Sequence, residues 1–150
     1  ALGWSQFMPS SVRKYAVDFD GDGRIDLIRS PVDAIGSVAS YLAAHGWRKD
    51  VPACYEVTPP ADTQALAQLL APDIRPTFTV EQMLSLGAQL QETALQHTGL
   101  LALVKLENGD ADPTYVAGTE NFYAITRYNQ SSYYALAVVQ LGQAVARSVR

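Results

Sequence analysis

The stretch Asp18-Phe19-Asp20-Gly21-Asp22-Gly23-Arg24-Ile25-Asp26 sets four carboxylates at alternate or near-alternate positions within nine residues. Side chains this close repel one another unless a positive charge sits among them, so the stretch points to a loop wound around a cation. The spacing is that of an EF-hand loop. Asp18, Asp20 and Asp22 stand at its positions 1, 3 and 5, Gly23 at the position that needs glycine, and the carbonyl of Arg24 at position 7. Asp26 holds position 9. Position 12 departs from the pattern, because Arg29 stands where a bidentate Glu belongs. The cage is therefore completed later in the chain, by Asp33 in preference to Asp26, or the motif is only a solvated turn. Asp33 has a competing role, since Ser30 reads as an N-cap, Pro31 as the first helical position and Asp33 as the third, where a carboxylate favours the helix dipole. A ligand set made only of oxygens suits calcium and offers nothing to a softer metal.

With 150 residues, 48% of them hydrophobic, the chain can bury a core and is most simply one domain over 1–150. A net charge of −4 and a pI near 5.0 argue against nucleic acid as a partner. The single cysteine, Cys54, excludes an internal disulfide and reads as a small hydrophobe within Val51-Pro52-Ala53-Cys54-Tyr55. There is no signal peptide and no apolar run long enough to span a membrane, and a start at Ala1-Leu2-Gly3-Trp4 reads as a fragment or processed form.

The opening apolar segment is punctuated by Pro9, followed by a short helical turn capped by Ser10 or Ser11 and running to Tyr15. From Pro31 to His45, Ile35, Val38, Ala39 and Leu42 recur at helical spacing, with Gly46 as the expected stop. Residues 51–57 read as a strand and 62–70 as a helix, and Thr79-Val80-Glu81-Gln82 is a capping box opening a helix through Leu86. Leu100 to Leu106 and Thr114-Tyr115-Val116 pair as strands around the turn Glu107-Asn108-Gly109-Asp110. Two helices end the chain, one at about 121–127 and one from Tyr133 to Arg147 whose buried face is expected at Leu136, Val139, Leu141 and Val145.

Two stretches carry polar groups in aromatic surroundings: Trp4-Ser5-Gln6-Phe7-Met8 and Phe122-Tyr123-Ala124-Ile125-Thr126-Arg127-Tyr128-Asn129. Rings that stack on sugar faces, beside amides and hydroxyls that hydrogen-bond them, are what a carbohydrate cleft needs; ordinary amphipathic packing would use the same residues.

Several of these segments together resemble the membrane-bound lytic transglycosylase B family. They are Gly3-Trp4-Ser5-Gln6-Phe7-Met8-Pro9-Ser10-Ser11, Tyr15-Ala16-Val17-Asp18-Phe19 with the acidic loop, and Pro31 to Ala39. Asn121-Phe122-Tyr123, Thr126-Arg127-Tyr128-Asn129 and Ala137 to Gly142 complete the set. The likeness spans both ends and thins between about 48 and 115. It implies an α+β, mainly α fold, a lysozyme-like catalytic region with a small antiparallel β part and an EF-hand-like calcium loop. The chain would be the C-terminal portion of that catalytic domain.

The resemblance further implies cleavage of the MurNAc–GlcNAc bond of peptidoglycan with a 1,6-anhydromuramoyl product, and a single Glu serving first as acid and then as base. In the family that Glu precedes the Gly-x-x-Gln-Phe-Met-Pro-Ser segment, so it is expected upstream of Ala1. None of Glu56, Glu81, Glu92, Glu107 or Glu120 lies in a matching context. Gln6, Phe7, Met8, Tyr41, Tyr128, Asn129 and Tyr134 are implied as substrate-binding residues, and Asp18, Asp20, Asp22, Arg24 and Asp33 as ligands of a structural Ca2+. Arg127 is structural on this reading. The implied setting is periplasmic in a Gram-negative bacterium, with outer-membrane anchoring through a preceding segment, peptidoglycan glycan strands as partner, and a monomer. The alternative from another class is a non-catalytic, calcium-stabilised glycan-binding module.

Overall fold

The structure, a computed structural model, describes residues 1–149, which fall into two compact units divided after Trp47. In the first unit a bridge between Leu2 and Phe7 turns at Gly3 (φ 62°), and helix α1 covers Pro9–Tyr15. Met8, and neither serine, is the N-cap, because Pro9 at the first helical position lacks an N–H that would go unpaired there anyway. The acidic loop leads into α2, Pro31–Ala44, where the Ser30 hydroxyl accepts from the Asp33 N–H at 3.1 Å as its spacing implied. The helix stops at Gly46 (φ 90°), whose N–H reaches the Ala43 carbonyl at 3.2 Å while the Trp47 N–H reaches Leu42 at 3.0 Å, a Schellman ending.

The buried face of α2 is not Ile35, Val38, Ala39 and Leu42. Asp33, Ala34, Gly36, Ser37 and Tyr41 are buried, whereas Ile35 is 68% exposed. The reason lies in what α2 packs against, which is the acidic loop itself. Backbone N–H groups there need acceptors, and a stripe of branched apolar residues would supply none. Asp33, 1% exposed, accepts from Phe19 at 2.8 Å and Asp20 at 3.4 Å with one oxygen and from Asp26 at 2.8 Å with the other. The Ser37 hydroxyl accepts from the Val17 N–H at 3.0 Å, and Gly36 lets the Phe19 side chain lie directly on the helix. The hydrogen bond from Asp26, helped by those from Phe19 and Asp20, outweighs burial and holds the Asp33 carboxyl below its usual range.

The second unit is built on a four-stranded antiparallel sheet ordered β2-β1-β4-β3, from β1 (Cys54–Thr58), β2 (Gln89–Leu90), β3 (Ala102–Asn108) and β4 (Ala111–Gly118). The β3–β4 hairpin turns at Gly109 (φ 64°), where a left-handed backbone is required. Helices α3 (Thr63–Leu70) and α4 (Val80–Ser85) help close a core of Tyr55, Leu69, Val80, Met83, Leu101 and Leu103. The capping box is present, with the Thr79 and Gln82 side chains each bonding the other's backbone. A 3-10 turn at Glu92–Gln96 precedes β3, and α5 (Glu120–Tyr128) and α6 (Ser132–Ser148) follow the sheet.

The expected buried face of α6 holds for half its length. Ala135 is buried and Leu136 and Val139 are half-buried, but Leu141 is 66% exposed and Val145 is exposed too. Positions 136, 139, 140 and 143 share one helical stripe, and 141 lies well around from it, so a single packed face cannot hold all four expected residues.

Two predictions follow from the packing of α2 on its loop. An exposed helical Gly→Ala change ordinarily gains about 0.5–1 kcal/mol. At Gly36 the new Cβ would overlap Cβ and Cγ of Phe19, and overpacking costs about 1–3 kcal/mol, so Gly36→Ala is expected to lower Tm by about 3 °C, checked by thermal denaturation. For Asp33, the folded-state carboxyl titrates below the unfolded value of 3.8. Its stabilisation is therefore complete above that value and lost as pH falls through the folded one. The urea midpoint difference between wild type and Asp33→Asn should be full near neutral pH and shrink as pH falls below the unfolded value.

Candidate functional site

The acidic loop is wound by its own carboxylates. Asp18 accepts from Gly21 at 2.7 Å and Asp22 at 3.2 Å with one oxygen and from Gly23 at 2.8 Å with the other. Asp20 accepts from the Asp22 N–H at 3.2 Å and the Ser30 hydroxyl at 2.9 Å, and Asp22 accepts from Arg24 at 2.8 Å. The result gathers Asp18, Asp20 and Asp22 so that one oxygen of each lies within 4.8 Å of the others. The donor set fits a hard divalent cation: three carboxylates, no nitrogen or sulfur, and the Arg24 carbonyl next in the loop. Glycines at positions 21 and 23, with φ of 76° and 89°, allow the tight winding. Asp33 and Asp26 are not gathered into this cluster. Asp33 lies at the base of the loop accepting its N–H groups, and Asp26 caps the next turn by accepting from Ile28 at 3.0 Å and Arg29 at 2.9 Å.

The residues expected to touch substrate fall in both units. In the first, Gln6 is exposed, held at φ 53° with its amide donating to the Gly3 carbonyl at 2.7 Å, although Ser5 and Phe7 on either side of it are buried. Met8 is exposed beside it. Phe7 and Tyr41 are buried, their ring centroids 5.9 Å apart. In the second, Tyr128 ends α5 half-buried, Asn129 is its exposed C-cap, and Tyr134 is partly exposed in the first turn of α6. Arg127 lies over the Tyr123 ring at 4.4 Å. Cys54 is partly buried at the start of β1, and burial pushes its thiol pKa up, as suits an inert cysteine.

Two polar groupings had no local spacing to announce them. The first joins Arg48, Glu120, His97 and Tyr55. Arg48 pairs with Glu120 at 2.7 Å, His97 Nε2 lies 3.5 Å from the other Glu120 oxygen, and His97 Nδ1 is 3.2 Å from the Tyr55 hydroxyl. Burial, with the Glu120 charge adding to it, raises the Tyr55 pKa. The second is in the first unit, where Ser10, Ser11, Lys14, Tyr15, Tyr41 and His45 line a cavity of about 150 Å³. The His45 ring stacks on Tyr41 at 4.0 Å, and its Nδ1 is 2.7 Å from the Tyr41 carbonyl. A carbonyl only accepts, so Nδ1 carries the hydrogen, and in the Nδ1–H tautomer Nε2 is an acceptor.

Residues 1–143 match the Transglycosylase SLT domain family. The chain is 46% identical, over 97% of its length, to the membrane-bound lytic murein transglycosylase B of Escherichia coli K12, and spans 38% of that protein. Its fold matches the Escherichia coli lytic transglycosylase Slt35 solved in complex with bulgecin A, with a TM-score of 0.82, 43% identity, and 99% of this chain and 44% of that one covered. The same protein solved in complex with calcium gives 0.81 at 44% identity, over 99% and 45% of the two chains. SltB3 of Pseudomonas aeruginosa in complex with NAG-anhNAM-pentapeptide gives 0.74 at 37% identity, over 92% and 36%. With this family match and this identity across nearly all of its length, the chain belongs to the transglycosylase SLT domain family.

Proposed function

We propose that this chain forms part of a lytic transglycosylase that cleaves the MurNAc–GlcNAc β-1,4 bond of peptidoglycan and leaves a 1,6-anhydromuramoyl end. The likeness to the Escherichia coli enzyme along nearly the whole chain supports this reading most. In this chemistry one Glu protonates the glycosidic oxygen as the C1–O4 bond breaks, then takes the proton of the C6 hydroxyl as the C1–O6 bond forms. No water is consumed. Such an acid needs a dry surround to hold its proton near neutral pH. Glu56, Glu81, Glu92 and Glu107 are exposed and Glu120 is paired with Arg48, so the proton work is assigned to a Glu outside these residues.

The parts assigned to this chain are recognition and support. Gln6 and Met8 face solvent and meet the glycan, with Phe7 and Tyr41 packed behind them; Tyr128, Asn129 and Tyr134 supply ring and amide contacts. Calcium would be held by Asp18, Asp20, Asp22 and the Arg24 carbonyl; Asp33, which stands outside that cluster at the base of the loop with N–H groups from both of its ends on its oxygens, is the carboxylate proposed to close the site once the ion is bound. The bound ion supplies charge balance and rigidity to the loop. The enzyme works as a monomer on glycan strands in the periplasm, anchored to the outer membrane through a segment of its own. No helix among the described residues is long and apolar enough to cross a membrane.

Millimolar calcium should raise Tm relative to chelator, by about 2.7 kcal/mol of stabilisation at a hundredfold excess over Kd. Asp18→Ala should remove that shift, and Asp33→Ala should weaken it more than Asp26→Ala does. In the enzyme that carries this chain, Gln6→Ala and Tyr128→Phe should each lower turnover on peptidoglycan at least about tenfold, ~1.4 kcal/mol of transition-state stabilisation. Tm should change little. Normal specific activity in a less stable protein would assign both side chains to folding instead.

A further inference from the structure

The cavity between α1 and the end of α2 collects donors that the fold itself does not use. Among the described residues, the hydroxyls of Ser10 and Ser11 make no hydrogen bond and Lys14 pairs with no carboxylate. Tyr15 and Tyr41 form its aromatic wall, with their centroids 5.0 Å apart, and Tyr15 stands 5.3 Å from the His45 ring. The imidazole is held by its stacking and by the Tyr41 carbonyl, so Nε2 is the nitrogen left for a ligand. A space of about 150 Å³ equals roughly five waters, enough for a carboxylate and the carbon that bears it.

From this geometry we infer that Ser10, Ser11, Lys14 and His45 bind the carboxylate of a peptide carried by the glycan. The ammonium of Lys14 neutralises the anion, the two hydroxyls donate to its oxygens, and His45 Nε2 accepts from the neighbouring amide N–H. An anion is favoured over a neutral hydroxyl because the Lys14 ammonium in the lining pairs with no carboxylate among the described residues. The assignment rests on the peptidoglycan reading above, since it takes the ligand to be a muramoyl sugar bearing a peptide stem. It separates two halves of the substrate: the glycan on Gln6 and Met8, the stem on Lys14 and His45.

The test is binding to the protein in calcium buffer, by calorimetry and by the His45 ring signals in NMR. Four ligands are compared: the GlcNAc–anhydroMurNAc disaccharide with its pentapeptide, the same disaccharide without it, the free pentapeptide, and acetate. The stem should tighten binding at least about fivefold. Lys14→Gln should erase that gain while leaving the stem-free affinity unchanged, and Lys14→Arg should retain most of it. Lys14 is exposed, so these variants should fold normally. Equal affinity for both disaccharides would overturn the stem subsite and leave the peptidoglycan reading standing. If neither disaccharide binds, the peptidoglycan reading falls instead, and the free pentapeptide decides. A shift of the His45 signals that is lost in Lys14→Gln retains the carboxylate site, and no shift overturns it. Acetate matching the pentapeptide would mean an unspecific anion site and would overturn the stem assignment.

Discussion

A buried carboxylate that accepts three backbone N–H groups holds the first unit together. Asp33 reaches Phe19, Asp20 and Asp26, and so ties both arms of the acidic loop to the first turn of α2. Burying a charge is costly unless it is fully hydrogen-bonded, and this one is anchored by groups that would otherwise be unsatisfied themselves. The remaining features of the unit follow from that anchor. Small residues at Ala34, Gly36 and Ser37 let the loop lie close, and Asp18, Asp20 and Asp22 are left facing one another. Their mutual repulsion is what a bound cation would relieve.

The second unit depends on a different knot, at the start of α5. Asn121 accepts from the Arg48 N–H at 2.7 Å and donates to the Arg48 and Val51 carbonyls at 2.8 and 2.7 Å. The Thr119 hydroxyl donates to Pro52 at 2.7 Å while accepting from Asn121 at 3.1 Å. With Arg48, Glu120 and His97 alongside, these bonds fix the helix that ends in Tyr128 and Asn129. A Cβ at Gly99 would meet His97 Nε2 at 2.9 Å and the Glu120 carboxylate at 3.0 and 3.1 Å, so a larger residue there would displace those side-chain ends.

What could be read from the sequence was what local spacing encodes. The loop's glycines, the caps at Ser30 and Thr79, the stop at Gly46 and the turn at Gly109 each rest on a few adjacent residues and appear where expected. Helix faces were harder, because α2 buries small and polar residues against a loop and α6 packs along only part of its length. Asn121 and the His97–Glu120–Arg48 chain join positions far apart in sequence, which a single chain gives no means of pairing. Of the expected substrate residues, Gln6 and Met8 are open to solvent while Phe7 and Tyr41 are not, a distinction that hydrophobicity alone does not draw.

Under the function proposed above, these elements carry the residues assigned to the glycan, and the proton transfer falls to a Glu other than Glu56, Glu81, Glu92, Glu107 and Glu120. The most direct test of the central claim is mass spectrometry of the muropeptides released from purified peptidoglycan by the protein that carries this chain. A lytic transglycosylase releases 1,6-anhydromuropeptides, each lighter by one water than its hydrolysed counterpart, and these should dominate. Products with ordinary reducing ends, or no released muropeptide at all, would contradict the account.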